Sequence, residues 1–93
     1  MTTHAIVTLN ISNPDTFADY RARAGEAMQK HGITALQLSK EPTRLEGTQE
    51  APQMIVLLTA DNRDAFEAWH SDPEFAAVHE LRRASGEITI FLM

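Results

Sequence analysis

Residues Met54–Met93, MIVLLTADNRDAFEAWHSDPEFAAVHELRRASGEITIFLM, have the pattern of a strand, a helical segment and a second strand. The first strand, Met54–Ala60, is apolar on both of its alternating faces, which is typical of a strand that is covered on both sides. The last strand, Ile88–Met93, has the same character. This stretch therefore predicts a sheet that carries apolar side chains on two faces.

The helical segment between these strands is predicted in two pieces. Asp61 or Asn62 caps the short first piece, because either side chain can accept a hydrogen bond from a free backbone amide. Ser-Asp-Pro at residues 71–73 restarts the helix, since proline fits the first helical turn and has no amide hydrogen. The second piece is expected to run to about Ala84 and to end at Gly86.

The N-terminal half repeats the order of strand and helix. Residues 4–11 alternate between apolar and more polar positions, which predicts a strand with one strongly apolar face. The Asn-Pro pair at residues 13–14 begins a helix, because Asn caps the free amides and Pro suits the first helical position. Gly32 ends this helix. A weaker strand follows from residue 33 to about residue 40, and a turn-rich connection extends through residue 52.

The resulting order is strand, helix, strand, strand, helix, strand in a chain of 93 residues. This order predicts an α+β fold, a ferredoxin-like split βαβ sandwich (βαββαβ) with a four-stranded antiparallel sheet. Residues 1–93 are expected to form a single domain, because two hydrophobic cores would need roughly 100 residues each.

Two helices can cover one face of such a sheet and leave the other face open. The open face carries apolar residues from the first, third and fourth strands, more than a soluble monomer normally exposes. We therefore expect a homodimer in which two copies pack sheet against sheet. The alternative is a second face of mixed character that stays in contact with water.

The composition excludes several classes of partner and site. Thirteen acidic and eight basic residues give a net charge of −5, so nucleic acids and anionic membranes, which select for basic clusters, are not expected as partners. The absence of cysteine excludes disulfides, thiolate catalysis and zinc–cysteine sites. The N-terminal sequence lacks the features of a signal peptide, and a cytoplasmic location is expected.

Residues that can carry chemistry concentrate in the second helical segment. At about 100° per residue, His79 and Arg82 share the buried face of the helix with Phe75. This arrangement is typical of the wall of a small hydrated pocket, in which an imidazole exchanges a proton and a guanidinium holds a carboxylate or oxyanion. The alternative is that both side chains extend to solvent at the helix end or bridge Glu46 or Asp72.

Tyr20 and Trp69 each have an apolar ring and one hydrogen-bond donor, which suits the binding of a flat organic ligand; the alternative is that both are core residues. Gly25 lies within the first helix, where Ala is about 1 kcal/mol more favourable. A close approach of the helix backbone to a strand or a ligand would explain this glycine. The alternative is that the helix tolerates a glycine here without needing one. The chain has no glycine-rich phosphate loop, no nucleophilic serine motif and no paired metal-binding histidines, and no metal site is expected.

The segment Ala65–Arg82 resembles the dimeric α+β-barrel superfamily, two branches of which are similar to this chain. One branch is the family called domain of unknown function thirteen-thirty, whose features recur along nearly the whole chain. The matching features are Tyr20, Gly32, the Leu-Glu-Gly turn at residues 45–47, Trp69, the Ser/Asp-Pro-Glu-aromatic helix start that ends at Phe75, and Arg82. That family tends to have a second Gly where Ile33 stands and an Arg where Leu38 stands, so its anion site on the second strand is not expected here.

The second branch is the antibiotic-biosynthesis-monooxygenase and haem-degrading group. Its helix pattern looks like Phe66, Trp69, Phe75 and His79, with the histidine ten residues after the tryptophan. For a haem degrader the resemblance implies that His79 binds iron, that Trp69 presses on the ring and that a strand-one asparagine, here Asn10, completes the set. Asn10 lies later in its strand than this pattern expects. The resemblance also implies one pocket per protomer of a homodimer, often without a bound cofactor.

Three functions are compatible with these features, and whether the protein is an enzyme stays open. The first is a monooxygenase-like enzyme that acts on a small planar organic molecule without a tightly bound cofactor, with His79 as acid and base and Arg82 as anion anchor. Its ligand contacts are assigned to Tyr20, Trp69, Phe75 and Asn10. The second is a non-catalytic ligand-binding or assembly module of the same fold, and the third is a haem-degrading protein with haem as its cofactor.

Overall fold

The computed structural model describes residues 2–93. Its elements are β1 (Thr3–Ile11), α1 (Pro14–Lys30), β2 (Thr34–Ser39), β3 (Met54–Ala60), α2 (Arg63–Ser71), a 3₁₀ turn (Pro73–Phe75), α3 (Ala76–Ala84) and β4 (Gly86–Leu92). The strands form one four-stranded sheet in the order β2-β3-β1-β4, and every neighbouring pair is antiparallel. The α+β, ferredoxin-like prediction is therefore confirmed. Within residues 2–93, no helix combines the length and the apolar character that a bilayer crossing requires.

The helices begin where the capping residues predict. The Asn13 side chain accepts a hydrogen bond from the Thr16 amide at 3.3 Å, and Asn62, not Asp61, accepts one from the Ala65 amide at 2.9 Å. Pro73 separates α2 from α3, since proline has no amide hydrogen to continue the first helix. Because of this break, α3 has its own axis and presents its residues to the sheet independently of α2.

One face of the sheet forms the hydrophobic core with the helices. The central strand β1 places Ala5, Val7 and Leu9 on this face, all of them buried. Val7 pairs with Val56 of β3 on one side and with Ile90 of β4 on the other, so the apolar positions of three strands lie side by side. The alternation read from residues 4–11 thus places the core on the expected side of the sheet.

The opposite face of the sheet is open in the single chain. Its apolar residues include Ile6, paired with Leu57 of β3 and with Phe91 of β4. Phe91 is 58% exposed, while Ile6 and Leu57 are only half-buried. Strands β3 and β4 are therefore apolar on both faces, but within one protomer the helices cover only one of these faces.

Gly86 joins α3 to β4 in a conformation that suits glycine. Its φ is +154°, and a Cβ atom there would lie 2.3 Å from the backbone oxygen of Asn10. The amides of Ser12 and Asn13 both donate to the Ser85 carbonyl oxygen at 3.0 Å. The start of β4 is thus held against the end of β1, and Gly86 begins a strand directly after the helix that it was expected to end.

Gly25 has no such constraint, because a Cβ atom at this position would meet nothing within 4 Å. The close backbone approach considered from the sequence is absent, and simple tolerance of the glycine explains the position.

These two glycines predict opposite effects of the same substitution. Gly86→Ala should destabilise the fold by more than about 2 kcal/mol, because the backbone atoms around the new methyl group cannot move aside cheaply. Gly25→Ala should stabilise it by up to about 1 kcal/mol, because alanine is the better helix former. Denaturant unfolding of both variants measures the difference, and a Gly86→Ala protein as stable as wild type would contradict the close contact.

Candidate functional site

A cavity of about 180 Å³ lies between the helices and the core face of the sheet. The strands provide an apolar floor that includes Leu9, Met54 and Val56, and helix α1 provides Tyr20 and other residues of its inner stripe. Trp69 of α2 and Arg82 of α3 complete the wall. A largely apolar enclosure with a few convergent polar groups is the usual form of a small-molecule site.

Arg82 is the buried charge of this cavity. Its residue is only 5% exposed, and its guanidinium carbon lies 5.0 Å from the centroid of the Trp69 ring. Nη1 donates a hydrogen bond to Nδ1 of His79 at 2.7 Å. Among the described residues, no carboxylate oxygen lies within 4.0 Å of this guanidinium. A buried cation without a counter-ion is costly unless a ligand supplies the missing charge.

His79 fixes Arg82 from behind the cavity wall. Its residue is 3% exposed, and Nε2 donates to the backbone oxygen of Trp69 at 2.8 Å. Nδ1 therefore has no hydrogen and accepts from Arg82. Burial is the main cause that lowers the pKa of His79, and the positive charge of Arg82 acts in the same direction. His79 is thus a neutral imidazole with both nitrogens in use.

The alternative in which these side chains reach solvent or bridge an acid is wrong. His79 and Arg82 are both buried, and neither forms an ion pair with Glu46 or Asp72. Asp72 accepts instead from Lys30 Nζ and from His31 Nε2, both at 2.8 Å, and these contacts keep the pKa of Asp72 well below its usual value.

The other charged residues along the cavity are also basic. Arg21 and Lys40 line it, and Asp and Glu are absent from the part of its lining that the structure describes. This is a local reversal of sign, because the chain as a whole carries a net charge of −5. Sequence reasoning missed both cations. Arg21 flanks the apolar stripe of α1 and Lys40 follows the end of β2, and neither position by itself indicates a binding site.

The predicted site residues divide into two groups. Tyr20 and Trp69 line the cavity together with Arg82, and His79 stands directly behind them. Phe75 is buried outside the cavity lining, with Lys30 Nζ 5.6 Å from its ring centroid. Phe75 is therefore placed as a core residue.

Asn10 lies on the opposite face of the sheet, because it follows Leu9 in an alternating strand. Its side chain accepts a hydrogen bond from the Gln53 amide at 3.1 Å, beside the open face. The structure consequently does not bring Asn10 together with His79 and Trp69.

The residues present do not fit a haem site of the expected kind. An iron-binding histidine needs a free nitrogen, and both ring nitrogens of His79 are engaged by Trp69 and Arg82. Asn10 points to the other side of the sheet, and a cavity of about 180 Å³ is small for a macrocycle of four pyrrole rings. In the described part of the chain, no three His, Asp or Glu side chains converge in a way that could hold a metal ion.

The sequence matches one family model, and several solved structures share its fold. The model of the family described as "Domain of unknown function (DUF1330)" matches residues 2–93. No curated protein matches the sequence significantly.

Several solved structures share the fold. A protein of unknown function from Rhodopseudomonas palustris is 16% identical, with a TM-score of 0.79 over 99% of this chain and 80% of that one. A dimeric ferredoxin-like protein of unknown function from Jannaschia sp. CCS1 is 17% identical, with a TM-score of 0.70 over 100% of this chain and 98% of that one. SnoaB, a cofactor-independent oxygenase from Streptomyces nogalater, is 17% identical, with a TM-score of 0.61 over 99% of this chain and 88% of that one. At these identities the likeness shows the fold alone.

Neutral His79 makes the stability of the fold depend on pH. The unfolded chain takes up a proton at this residue near its ordinary pKa of 6.5, whereas the folded chain resists uptake because its pKa is lowered. Neutral His79 therefore contributes its full share to the free energy of unfolding above pH 6.5. This contribution is lost as the pH falls towards the pKa of His79 in the folded protein, by at most about 1.4 kcal/mol per pH unit.

Denaturant unfolding at pH 7.5 and pH 5.5, at one protein concentration, measures this loss. His79→Gln should remove it, because glutamine keeps one donor and one acceptor but does not titrate. His70→Gln, on the exposed side of α2, should retain it. An equal loss in wild type and in His79→Gln would contradict the buried neutral imidazole.

Proposed function

The chain belongs to the DUF1330 family, and we propose that it is a homodimeric pocket protein that binds a small organic anion between the helices and the sheet of each protomer. Arg82 is the anchor for the anionic group, Trp69 and Tyr20 are walls for the organic body, and His79 is the positioning residue that holds the anchor. The observation that carries this proposal is the buried Arg82 guanidinium on an apolar cavity wall, with no carboxylate partner among residues 2–93.

The energetics of the buried cation favour a ligand over a structural role. A buried ion pair contributes little net stability, and a lone buried charge opposes folding. The stacking of Arg82 on Trp69 and its bond to His79 offset part of this cost, but neither group is negatively charged. A carboxylate in the cavity would complete the arrangement, since guanidinium binds it through two parallel hydrogen bonds, and the single oxygen of an enolate could accept one hydrogen bond from the same group.

The size of the cavity limits the organic body of the ligand. An engineered apolar cavity of about 150 Å³ takes up benzene, and the cavity here measures about 180 Å³. A molecule with one six-membered ring therefore fits, whereas a fused polycyclic ligand requires the cavity to open.

A second candidate function is oxygenase chemistry of the kind named for SnoaB. The substrate would lose a proton from a CH2 group beside a carbonyl to a water molecule, and Arg82 would stabilise the resulting enolate. The carbanion would then react with dioxygen, which is the oxidant: one oxygen atom forms the new C=O group and the other leaves as water. His79 does not suit the role of base, because its Nδ1 lone pair faces Arg82.

Oxygen uptake with cyclohexane-1,3-dione, an enolisable molecule with one ring, separates the two candidates. An oxygenase consumes dioxygen in its presence, and a binding protein takes up its enolate without consumption.

The homodimer is proposed through the open face of the sheet. Apolar residues of three strands meet there, and Phe91 is 58% exposed in the single chain. A domain of this size buries a modest share of its surface, so association also adds stability that the small core lacks. The solved structures from Jannaschia sp. CCS1 and Thermobifida fusca, described as dimeric ferredoxin-like proteins, support a dimeric state.

Removal of the anchor should weaken ligand binding without loss of the fold. Trp69 is the only tryptophan of the sequence and lines the cavity, so its fluorescence reports occupancy directly. In a titration with cyclohexanecarboxylate, Arg82→Met should weaken binding about 10- to 100-fold, the usual value of a hydrogen-bonded charged group. Arg83→Met, one residue further along and paired with Glu80 at 2.8 Å in wild type, is the matched control and should bind normally.

The Arg82→Met variant should be at least as stable as wild type, because methionine removes a buried charge and fills a similar volume. Equal affinity of Arg82→Met and wild type for cyclohexanecarboxylate, or no binding by wild type, would overturn the proposed function.

A charge on the open face should separate the protomers. Phe91→Glu is expected to sediment as the 10.4 kDa monomer, and wild type at twice that mass. Ala22→Glu, on the exposed side of α1, is the control and should remain dimeric. Wild type that stays monomeric at high micromolar concentration would contradict the sheet-to-sheet interface.

A further inference from the structure

The three cations along the cavity lie at two separate places. Arg82 is fixed on the side of α3 and β4 by its contacts with Trp69 and His79. Lys40 follows β2, the strand at the other edge of the sheet, and Arg21 is on α1. Three strand spacings of about 4.8 Å separate β2 from β4, or about 14 Å. Arg82 and Lys40 therefore reach the cavity from elements that lie beside opposite edge strands of the sheet.

The two outer cations, Arg21 and Lys40, are exposed at the mouth of the cavity and have no acidic partner. Within residues 2–93, neither has a carboxylate oxygen within 4.0 Å. Lys30, Arg63 and Arg83 have such a partner, at 2.8, 3.8 and 2.8 Å, whereas Arg23 and Arg44, which lie outside the cavity lining, have none among the described residues. In a chain with thirteen acidic residues, the positive charge at this mouth is thus left uncompensated.

The surface between the inner and outer cations is apolar. Leu9, Met54 and Val56 form its floor, so the cavity presents a cation, an apolar stretch and two further cations. The complementary molecule has an anionic group at each end of a compact apolar body. A ligand with one anionic group would satisfy Arg82 and leave its apolar end beside two unpaired cations.

We infer that the ligand is an organic dianion of the dicarboxylate class, with one carboxylate on Arg82 and the other at Arg21 and Lys40. This inference rests on the proposed function, because it requires the anion site at Arg82. The inner carboxylate is desolvated and provides most of the affinity, and the outer one, held by exposed cations, provides selectivity and faster association.

Two matched probes test this inference: cyclohexanecarboxylate with one carboxylate, and trans-cyclohexane-1,4-dicarboxylate with two on the same ring. Both are transparent where Trp69 is excited, so the same fluorescence titration applies to both, at pH 7.5 and constant ionic strength. Wild type should bind the dicarboxylate about 5- to 30-fold more tightly than the monocarboxylate, the combined effect of two exposed ion pairs.

The double variant Arg21→Gln/Lys40→Gln should lose this preference and bind the monocarboxylate nearly as wild type does. Arg23→Gln/Arg83→Gln removes the same charge from exposed positions outside the cavity lining and should keep the preference. Circular dichroism confirms that the variants fold, as expected for exposed side chains.

The outcomes distinguish this inference from the proposed function. If wild type binds both probes equally, the dianion is excluded while the Arg82 site stands. If the preference survives in Arg21→Gln/Lys40→Gln, the second carboxylate does not lie at Arg21 and Lys40, and the inference as stated is overturned. If wild type binds neither probe, both proposals fall.

Discussion

The hydrogen bond between Arg82 and His79 holds the buried cation on which the proposed anion site depends. The Trp69 backbone oxygen takes the only hydrogen of the neutral imidazole, which turns the Nδ1 lone pair towards Arg82. The guanidinium is thereby fixed against the Trp69 ring, and no carboxylate of the described residues pairs with it. Because a buried cation of this kind opposes folding, its presence is better explained by a ligand than by the stability of the fold. The break at Pro73 contributes directly, since it lets the Trp69 carbonyl at the end of α2 face the side chains of α3.

Much of the fold follows from short-range physics that the sequence displays. Period-two alternation placed the core on one side of β1, and the Asn13 cap and the Pro73 break set the helix boundaries that the structure shows. The helical period also placed His79 and Arg82 on one buried face, which the structure confirms. Such features depend on residues a few positions apart, and this is why they can be predicted.

The composition of the site depends on how the elements pack, and there the sequence was less informative. Asn10 follows the core residue Leu9 in an alternating strand, so the pattern of β1 already predicts that Asn10 faces away from the cavity. The family resemblance had assigned Asn10 to the site by its residue type alone. The helical period predicted that Phe75 shares a face with Arg82, but Phe75 lies in the 3₁₀ turn before α3 and packs outside the cavity lining. Arg21 and Lys40 reach the cavity only because α1 lies across the sheet towards β2, a relation that no local pattern contains.

Fold and chemistry are carried by different parts of this molecule. Solved structures that are 16–17% identical share its architecture over nearly its whole length, among them an oxygenase and proteins of unknown function. This chain has a cavity whose charged lining is entirely basic among the described residues, although the protein as a whole is acidic. Specificity on such a scaffold resides in a few side chains on the cavity wall.

The crystal structure of the protein grown with saturating cyclohexanecarboxylate tests the role of the buried guanidinium most directly. We expect both carboxylate oxygens within about 3 Å of the Arg82 nitrogens, the ring over Met54 and Val56, and His79 Nδ1 still facing Arg82. A structure in which Arg82 instead pairs with a carboxylate of the protein itself, with the cavity filled by side chains, would contradict the anion site.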